Sequence, residues 1–197
     1  IYSHYYQEKK LGFKFSSFKQ MYEDNDNRFR YYYKISRYKK HIDRYLLYFD
    51  KSQILIATSN QSQDDPIHQY CIGDNFLSFR GSLEDVSKRM LDSAKYMNAE
   101  AFVRISGDSP LIDPTVIEQA IKIYQNGNYD LVTNIFPRSF PVGQSVEVIR
   151  TKTFEYVYEK MLSSSHFEHV TKFYYDYPDE YQIRNFSNER DLSKYRL

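Results

Sequence analysis

Cysteine is almost missing from this chain. Cys71 is the only one among 197 residues, so an intrachain disulfide and a cysteine-based metal cluster are excluded. A reducing cytoplasm is the default compartment that follows. Tryptophan is absent, and no run approaches 18 apolar residues, so no membrane span is expected. The N-terminus, Ile-Tyr-Ser-His-Tyr-Tyr, lacks the charged-then-apolar pattern of a signal peptide. It also lacks an initiator Met, which predicts a trimmed or incomplete chain. Two catalytic signatures are missing too. There is no Gly-x-x-x-x-Gly-Lys-Ser/Thr phosphate loop and no Gly-x-Ser-x-Gly nucleophile elbow.

What is present is ordinary for a globular domain, with 41% hydrophobic and 27% charged residues. The length suffices for one sizeable core. Charge is unevenly spread. Residues 1–51 hold 12 Lys/Arg against 6 Asp/Glu, and the rest hold 15 against 20. Ten of the 21 tyrosines fall in the first 50 residues. Two regions are therefore expected, a basic Tyr-rich segment over 1–50 and a domain over 51–197. Residues 28–40 interleave Arg and Lys with Tyr, as a single-strand nucleic-acid surface does. A basic, solvated helix with Tyr packed on the body is the preferred reading, and no nucleic-acid partner is expected.

Beyond residue 50 the pattern is regular. Residues 53–59 form a short apolar run suited to a buried strand. Asp64-Asp65-Pro66 opens a short helix, and Cys71 on it reads as structural. Residues 75–80 predict a second strand. Leu83, Val86, Met90, Leu91, Ala94 and Met97 share one helical face, with Glu84 and Asp85 in the first turn. Further strands are expected at 101–106, 130–135, 145–149 and 181–186. Helices are expected after Asp113-Pro114, around 154–162, and as one piece over 167–177. A helix over 35–49 is predicted ahead of the first strand. This alternation predicts an α/β fold with a mainly parallel sheet covered on both faces.

Ligands of such sheets bind beyond the carboxyl ends of the strands. The segment Arg104-Ile-Ser-Gly-Asp-Ser-Pro-Leu-Ile-Asp places Asp108 directly after a strand. Gly107 permits a close backbone turn, and Pro110 keeps the turn from becoming helix. A carboxylate there is placed to hold Mg²⁺ against phosphates, or else it merely caps the turn. Asp113 before Pro114 reads as a helix cap. His166 and His169 are spaced i, i+3, but a zinc site needs a further ligand. His169 is expected instead to fix a helix to the sheet.

The run Val103-Arg-Ile-Ser-Gly-Asp-Ser-Pro-Leu-Ile-Asp-Pro resembles the central motif of the cytidylyltransferase family. That family includes the acylneuraminate cytidylyltransferases and the spore coat polysaccharide biosynthesis protein F group. Four more segments agree in order and spacing. They are Ile54-Leu-Ile-Ala-Thr-Ser with Asp64-Asp65, then Phe79-Arg-Gly-Ser-Leu-Glu-Asp-Val, and then Asn134 through Phe140-Pro-Val-Gly-Gln-Ser-Val-Glu-Val. The last is Glu168-His-Val-Thr with Asn185 through Asp191-Leu-Ser. The resemblance covers about residues 40–197.

It implies a Rossmann-like nucleotide-diphospho-sugar transferase fold of GT-A type, a three-layer sandwich. Asp108 would be the Mg²⁺ ligand beside CTP. Gly81 and Ser82 would lie near the base, with Gly107 in the nucleotide loop. Arg104 would point to the nucleotide or hold the loop. Gln144 and Glu147 would face the acceptor sugar. The implied reaction transfers CMP from CTP to an acidic sugar or sugar phosphate for surface polysaccharide synthesis, in the cytoplasm. Family members often pair, so a homodimer is among the expectations.

The family's N-terminal Gly/Ser-rich loop with Arg and Lys has no match in residues 1–50, and Ser16-Ser17-Phe18-Lys19 is a poor substitute. Its C-terminal Val-Asp-Thr type segment, with a second metal ligand, also has no match. The fold is therefore expected to be incomplete at both ends and the chain to be impaired or inactive. Two rivals accompany this reading. One is a non-catalytic relative that binds a nucleotide or a partner. The other is a nucleic-acid-binding module using the basic segment.

Overall fold

The computed structural model describes residues 38–197, with side chains from Ile42 onward. The expectations for residues 16–19 and for most of the 28–40 segment lie outside the described residues. Helix α1 (Tyr38–Tyr45) falls inside the helix expected over 35–49. Tyr45 and Phe49 pack against a core cluster built around Ile112, Ile117 and Val132. Arg44 Nη2 donates to the Ile112 carbonyl at 3.1 Å. The packed body thus includes α1. Asp50 then caps the single 3₁₀ turn Lys51–Gln53, and Gln53 returns the bond to the Asp50 amide.

Strands β1 (Leu55–Ser59) and β2 (Leu77–Gly81) pair in parallel, from Leu55 with Leu77 to Ser59 with Gly81. Helix α2 (Asp65–Gly73) connects them and carries buried Cys71. Helix α3 (Val86–Tyr96) packs on both strands. Its first turn lies later than the apolar spacing suggested. The Asp85 carboxylate accepts the Lys88 amide at 2.8 Å and caps the helix. Leu83, expected on the apolar face, therefore precedes the helix and is exposed.

A second sheet has the order β3-β5-β4-β6. Its strands are β3 (Ala101–Arg104), β4 (Leu131–Thr133), β5 (Glu147–Arg150) and β6 (Ile183–Asn185). Strand β4 runs parallel to β6, while β5 runs antiparallel to both β3 and β4. Three strands thus share a direction and β5 is reversed. The cause is its connection. Residues 134–146 contain no helix, and a parallel crossover normally needs one to span the sheet.

Strand alternation sorts the core into two layers. Phe102, Ile149 and Leu131 are register neighbours on one face. They pack with Phe154 and Val157 of α5 (Thr151–Lys160), and with Phe173 and Tyr174 of α7 (Lys172–Asp176). Val103, Val148 and Val132 face the other way, onto Ile117 and Ala120 of α4 (Pro114–Gln125). Burying each such aliphatic side chain stabilises by about 1.5–3 kcal/mol. The result is a helix–sheet–helix sandwich.

The helix expected over 167–177 is two, α6 (Ser164–Glu168) and α7. Between them Val170 turns into the core and Thr171 is buried beside it. His169 is exposed in that break, so it does not fix a helix to the sheet. His166 makes the tertiary contacts instead. Its ring meets Phe173 edge-on at 5.1 Å and Nε2 lies 2.9 Å from Asp176.

Candidate active site

The register places Glu147, the first residue of β5, directly between Arg104 and Thr133, the last residues of β3 and β4. The three lie on the face of Phe102, Ile149 and Leu131, one step beyond the apolar cluster. There the sheet face becomes polar at the carboxyl ends of β3 and β4, where α/β ligands bind.

Glu147 is 1% exposed, and a buried carboxylate must be fully paired. Its Oε2 accepts Arg104 Nη1 at 2.8 Å. Its Oε1 accepts the Thr171 hydroxyl at 2.5 Å and the Tyr175 hydroxyl at 2.8 Å. Having donated its proton, the Tyr175 oxygen accepts from the Thr133 hydroxyl at 2.9 Å. Thr133 Oγ1 in turn accepts the Ile135 amide. Burial and the Glu147 charge push the Tyr175 phenol well up from its ordinary value, so it stays protonated and can donate. Phe136 stacks on the Tyr175 ring at 4.8 Å. Two of these groups, Thr171 and Tyr175, come from the broken helix pair. Tyr175 lies off the apolar spacing expected over 167–177, and no local pattern marked its role.

Gln144 is also committed within the protein. Its Oε1 accepts the Asp113 amide at 2.8 Å and its Nε2 donates to the Leu111 carbonyl at 3.0 Å. The Asn134 amide nitrogen donates to the Gln144 carbonyl at 2.7 Å, and the Val146 amide donates to Asn134 Oδ1 at 2.9 Å. These bonds tie the β4–β5 loop to the segment after β3. Gln144 and Glu147, expected at the acceptor, are thus buried groups that orient Arg104 and the 111–113 backbone.

Asp108 is exposed on the turn after β3, and among the described residues its side chain meets just the Ser109 hydroxyl, at 3.3 Å. Its lone pairs are open to a ligand. Gly107 has ordinary φ, and a Cβ there would meet nothing within 4 Å among the described residues. The turn itself therefore does not require glycine. Asp113 is the helix cap that its spacing predicted, accepting the Thr115 amide at 2.9 Å. Among the described residues, no three His, Cys, Asp or Glu side chains gather as a metal cluster. A single exposed carboxylate still suits Mg²⁺, which keeps several waters and shares phosphate oxygens.

At the ends of β1 and β2 a second set of contacts forms. The Asp64 carboxylate does not cap α2. It turns back to accept the Thr58 hydroxyl at 2.8 Å and the Ser59 amide at 3.0 Å. Hydrogen bonds from Ser59, and then Thr58, hold it below the usual carboxylate range. Arg80 Nε donates to the Ser59 carbonyl at 3.0 Å, and its Nη2 pairs with Asp65 at 2.7 Å. Ser82 Oγ accepts the Asp85 amide at 3.0 Å, and Arg89 Nη1 donates to the Ser82 carbonyl. A Cβ on Gly81 would lie 2.9 Å from Arg89 Cγ, so Gly81 is glycine because Arg89 crosses it. The sequence motif marked Gly81 and Ser82 but not Arg89, which crosses Gly81 and bonds the Ser82 carbonyl.

A family model described as Cytidylyltransferase matches residues 42–196. The spore coat polysaccharide biosynthesis protein SpsF of Bacillus subtilis is 28% identical over 138 residues, covering 68% of this chain and 55% of that protein. An uncharacterised protein of Methanocaldococcus jannaschii is 28% identical over 130 residues, covering 66% and 52%. The 3-deoxy-manno-octulosonate cytidylyltransferase of Trichlorobacter lovleyi is 35% identical over 71 residues, covering 36% and 27%. The chain thus spans about half the length of the first two relatives. A solved cytidylyltransferase from Leptospira borgpetersenii superposes with a TM-score of 0.74 at 28% identity, over 80% of this chain and 67% of that one.

Proposed function

The chain belongs to the cytidylyltransferase family, and from that premise we propose that it serves CMP transfer from CTP to a sugar acceptor. The observation that carries this reading is the fixed Arg104–Glu147 pair with exposed Asp108 in the turn that follows it. In the proposed reaction an acceptor oxygen attacks the α-phosphorus of CTP and pyrophosphate leaves. Asp108 would hold Mg²⁺, which supplies charge neutralisation on the phosphates. Arg104, oriented by Glu147, presents fixed positive charge beside the turn. Gln144 holds the backbone of the 111–113 segment, and Gly81 and Ser82 offer backbone groups to the base. Gly107 leaves room for close approach at the turn. Similarity to SpsF supports a polysaccharide role, and similarity to 3-deoxy-manno-octulosonate cytidylyltransferase supports an acidic acceptor.

The test is pyrophosphate release from CTP with Mg²⁺ and a panel of acidic sugars and sugar phosphates. Release lost in Asp108→Ala supports the reading. CTP binding without release, in every acceptor condition, replaces it with a nucleotide-binding relative. No CTP binding at all defeats it.

A further inference from the structure

Arg138 stands on the β4–β5 loop, where it forms an isolated bridge with Ile135. Its Nη2 donates to the Ser145 hydroxyl at 3.0 Å. Its Nη1 is buried and has no hydrogen-bond partner among the described residues. Leaving a charged donor buried and unpaired is costly, so such a group is kept for a reason. Burial pulls the Arg138 guanidinium down from its usual value, and the nearby Glu147 charge acts the other way. Glu147 is nevertheless already paired with Arg104 and both hydroxyls. Among the described residues, Arg104 is bonded to that carboxylate, and Glu147 is the carboxylate whose charge acts on Arg138. Tyr175, Thr171, Thr133 and Ser145 are neutral. The cluster therefore carries one positive charge in excess.

We propose that Arg138 is the anchor of an anion subsite, in which Nη1 receives a carboxylate or phosphate oxygen of the acceptor. The assignment to the acceptor rests on the nucleotidyltransferase reading above. It is supported by position, since the Arg138 loop follows β4, whereas Gly81 ends β2 of the separate β1–β2 pair and Ser82 follows it. A planar guanidinium already oriented by Ser145 suits a fixed oxyanion better than a lysine would. The resemblance singled out this loop but not Arg138.

The experiment is calorimetry on the full chain with Mg²⁺ and four probes. These are CTP, 3-deoxy-manno-octulosonate, a hexose 1-phosphate and a neutral hexose. The carboxylate and phosphate sources are separated by the second and third probes. At least one anionic probe is expected to bind the native chain at least tenfold more tightly than the neutral hexose. Arg138→Gln should weaken that probe about 10- to 100-fold, the range of a charged hydrogen bond. If Arg138→Gln does not fold, Arg138→Lys keeps the charge, loses the fork, and should weaken the same probe about tenfold.

Unchanged affinity in a folded variant overturns the proposal, since Nη1 then receives no oxygen of the ligand. So does the absence of any anionic preference, or of any anionic binding. CTP tests the nucleotide reading separately. An Arg138-dependent anion site without CTP binding leaves the subsite standing and removes the proposed reaction.

Discussion

Arg104 Nη1 and Glu147 Oε2 meet at 2.8 Å across directly paired residues of β3 and β5. The pair joins strands that are 43 residues apart in sequence. Removing the carboxylate strands a guanidinium and two hydroxyl donors. Glu147→Ala should cost about 3–5 kcal/mol, the range for breaking a buried pair from one side. Urea denaturation measures it, with Glu147→Gln expected to be milder because the amide oxygen still accepts. A loss below about 1 kcal/mol would mean the cluster is solvated rather than sealed.

Tyrosine burial sets an alkaline limit. Burial, as the leading cause, pushes Tyr45 and Tyr158 up to about 12 and raises Tyr174 and Tyr175 as well. An unfolded tyrosine ionises near about 10. Below that pH both states are protonated, and this contribution to stability is fully present. Above it the unfolded chain loses protons first, so stability falls as pH rises toward and through about 12. Denaturation midpoints should be flat from neutral pH up to the unfolded tyrosine value and fall above it. Tyr175→Phe should cost about 1–2 kcal/mol at neutral pH by removing one donor to Glu147.

Asp108→Ala should leave stability within about 0.5 kcal/mol, because its side chain is exposed and weakly bonded. Thermal melting in the absence of ligand checks this. The same variant should lose the stabilisation that Mg²⁺ with CTP gives the native chain. A melting-point shift equal to the native one would remove Asp108 from the site.

Gln144 latches the 111–113 backbone through both ends of its amide. Gln144→Ala should cost about 1–3 kcal/mol and leave the Asp113 amide without its acceptor. Amide hydrogen exchange at Asp113 should quicken more than at the core amides of Val132. Equal protection in variant and native chains would show that another group holds the turn.

Two glycines should behave in opposite ways. Gly81→Ala forces the Arg89 side chain aside and should cost about 1–3 kcal/mol, as overpacking does. Gly107→Ala meets no neighbour among the described residues and has ordinary φ, so its stability should be unchanged or slightly raised. Chemical denaturation of both variants measures the contrast, and nucleotide titration of Gly107→Ala reports whether a ligand needs that space.

The sequence alone determined the local elements. Apolar spacing placed the helices at α3, α4 and α5, Asp113-Pro114 marked the start of α4, and the Gly-Asp-Ser-Pro turn marked the end of β3. These are determined by neighbours a few residues apart, which is why periodicity and capping chemistry reveal them. Tertiary structure decided the rest. The reversal of β5 depends on a loop without a helix, and the break at Val170 depends on a core position that only packing defines. The meeting of Arg104, Thr133, Glu147, Thr171 and Tyr175 depends on strand register and on that break together. So do the partners of Gln144 and Glu147, which are buried against the 111–113 backbone and Arg104. Local pattern records which residues can form an element. Only the long-range pairing energies of β3, β4 and β5 determine which of those residues share a site.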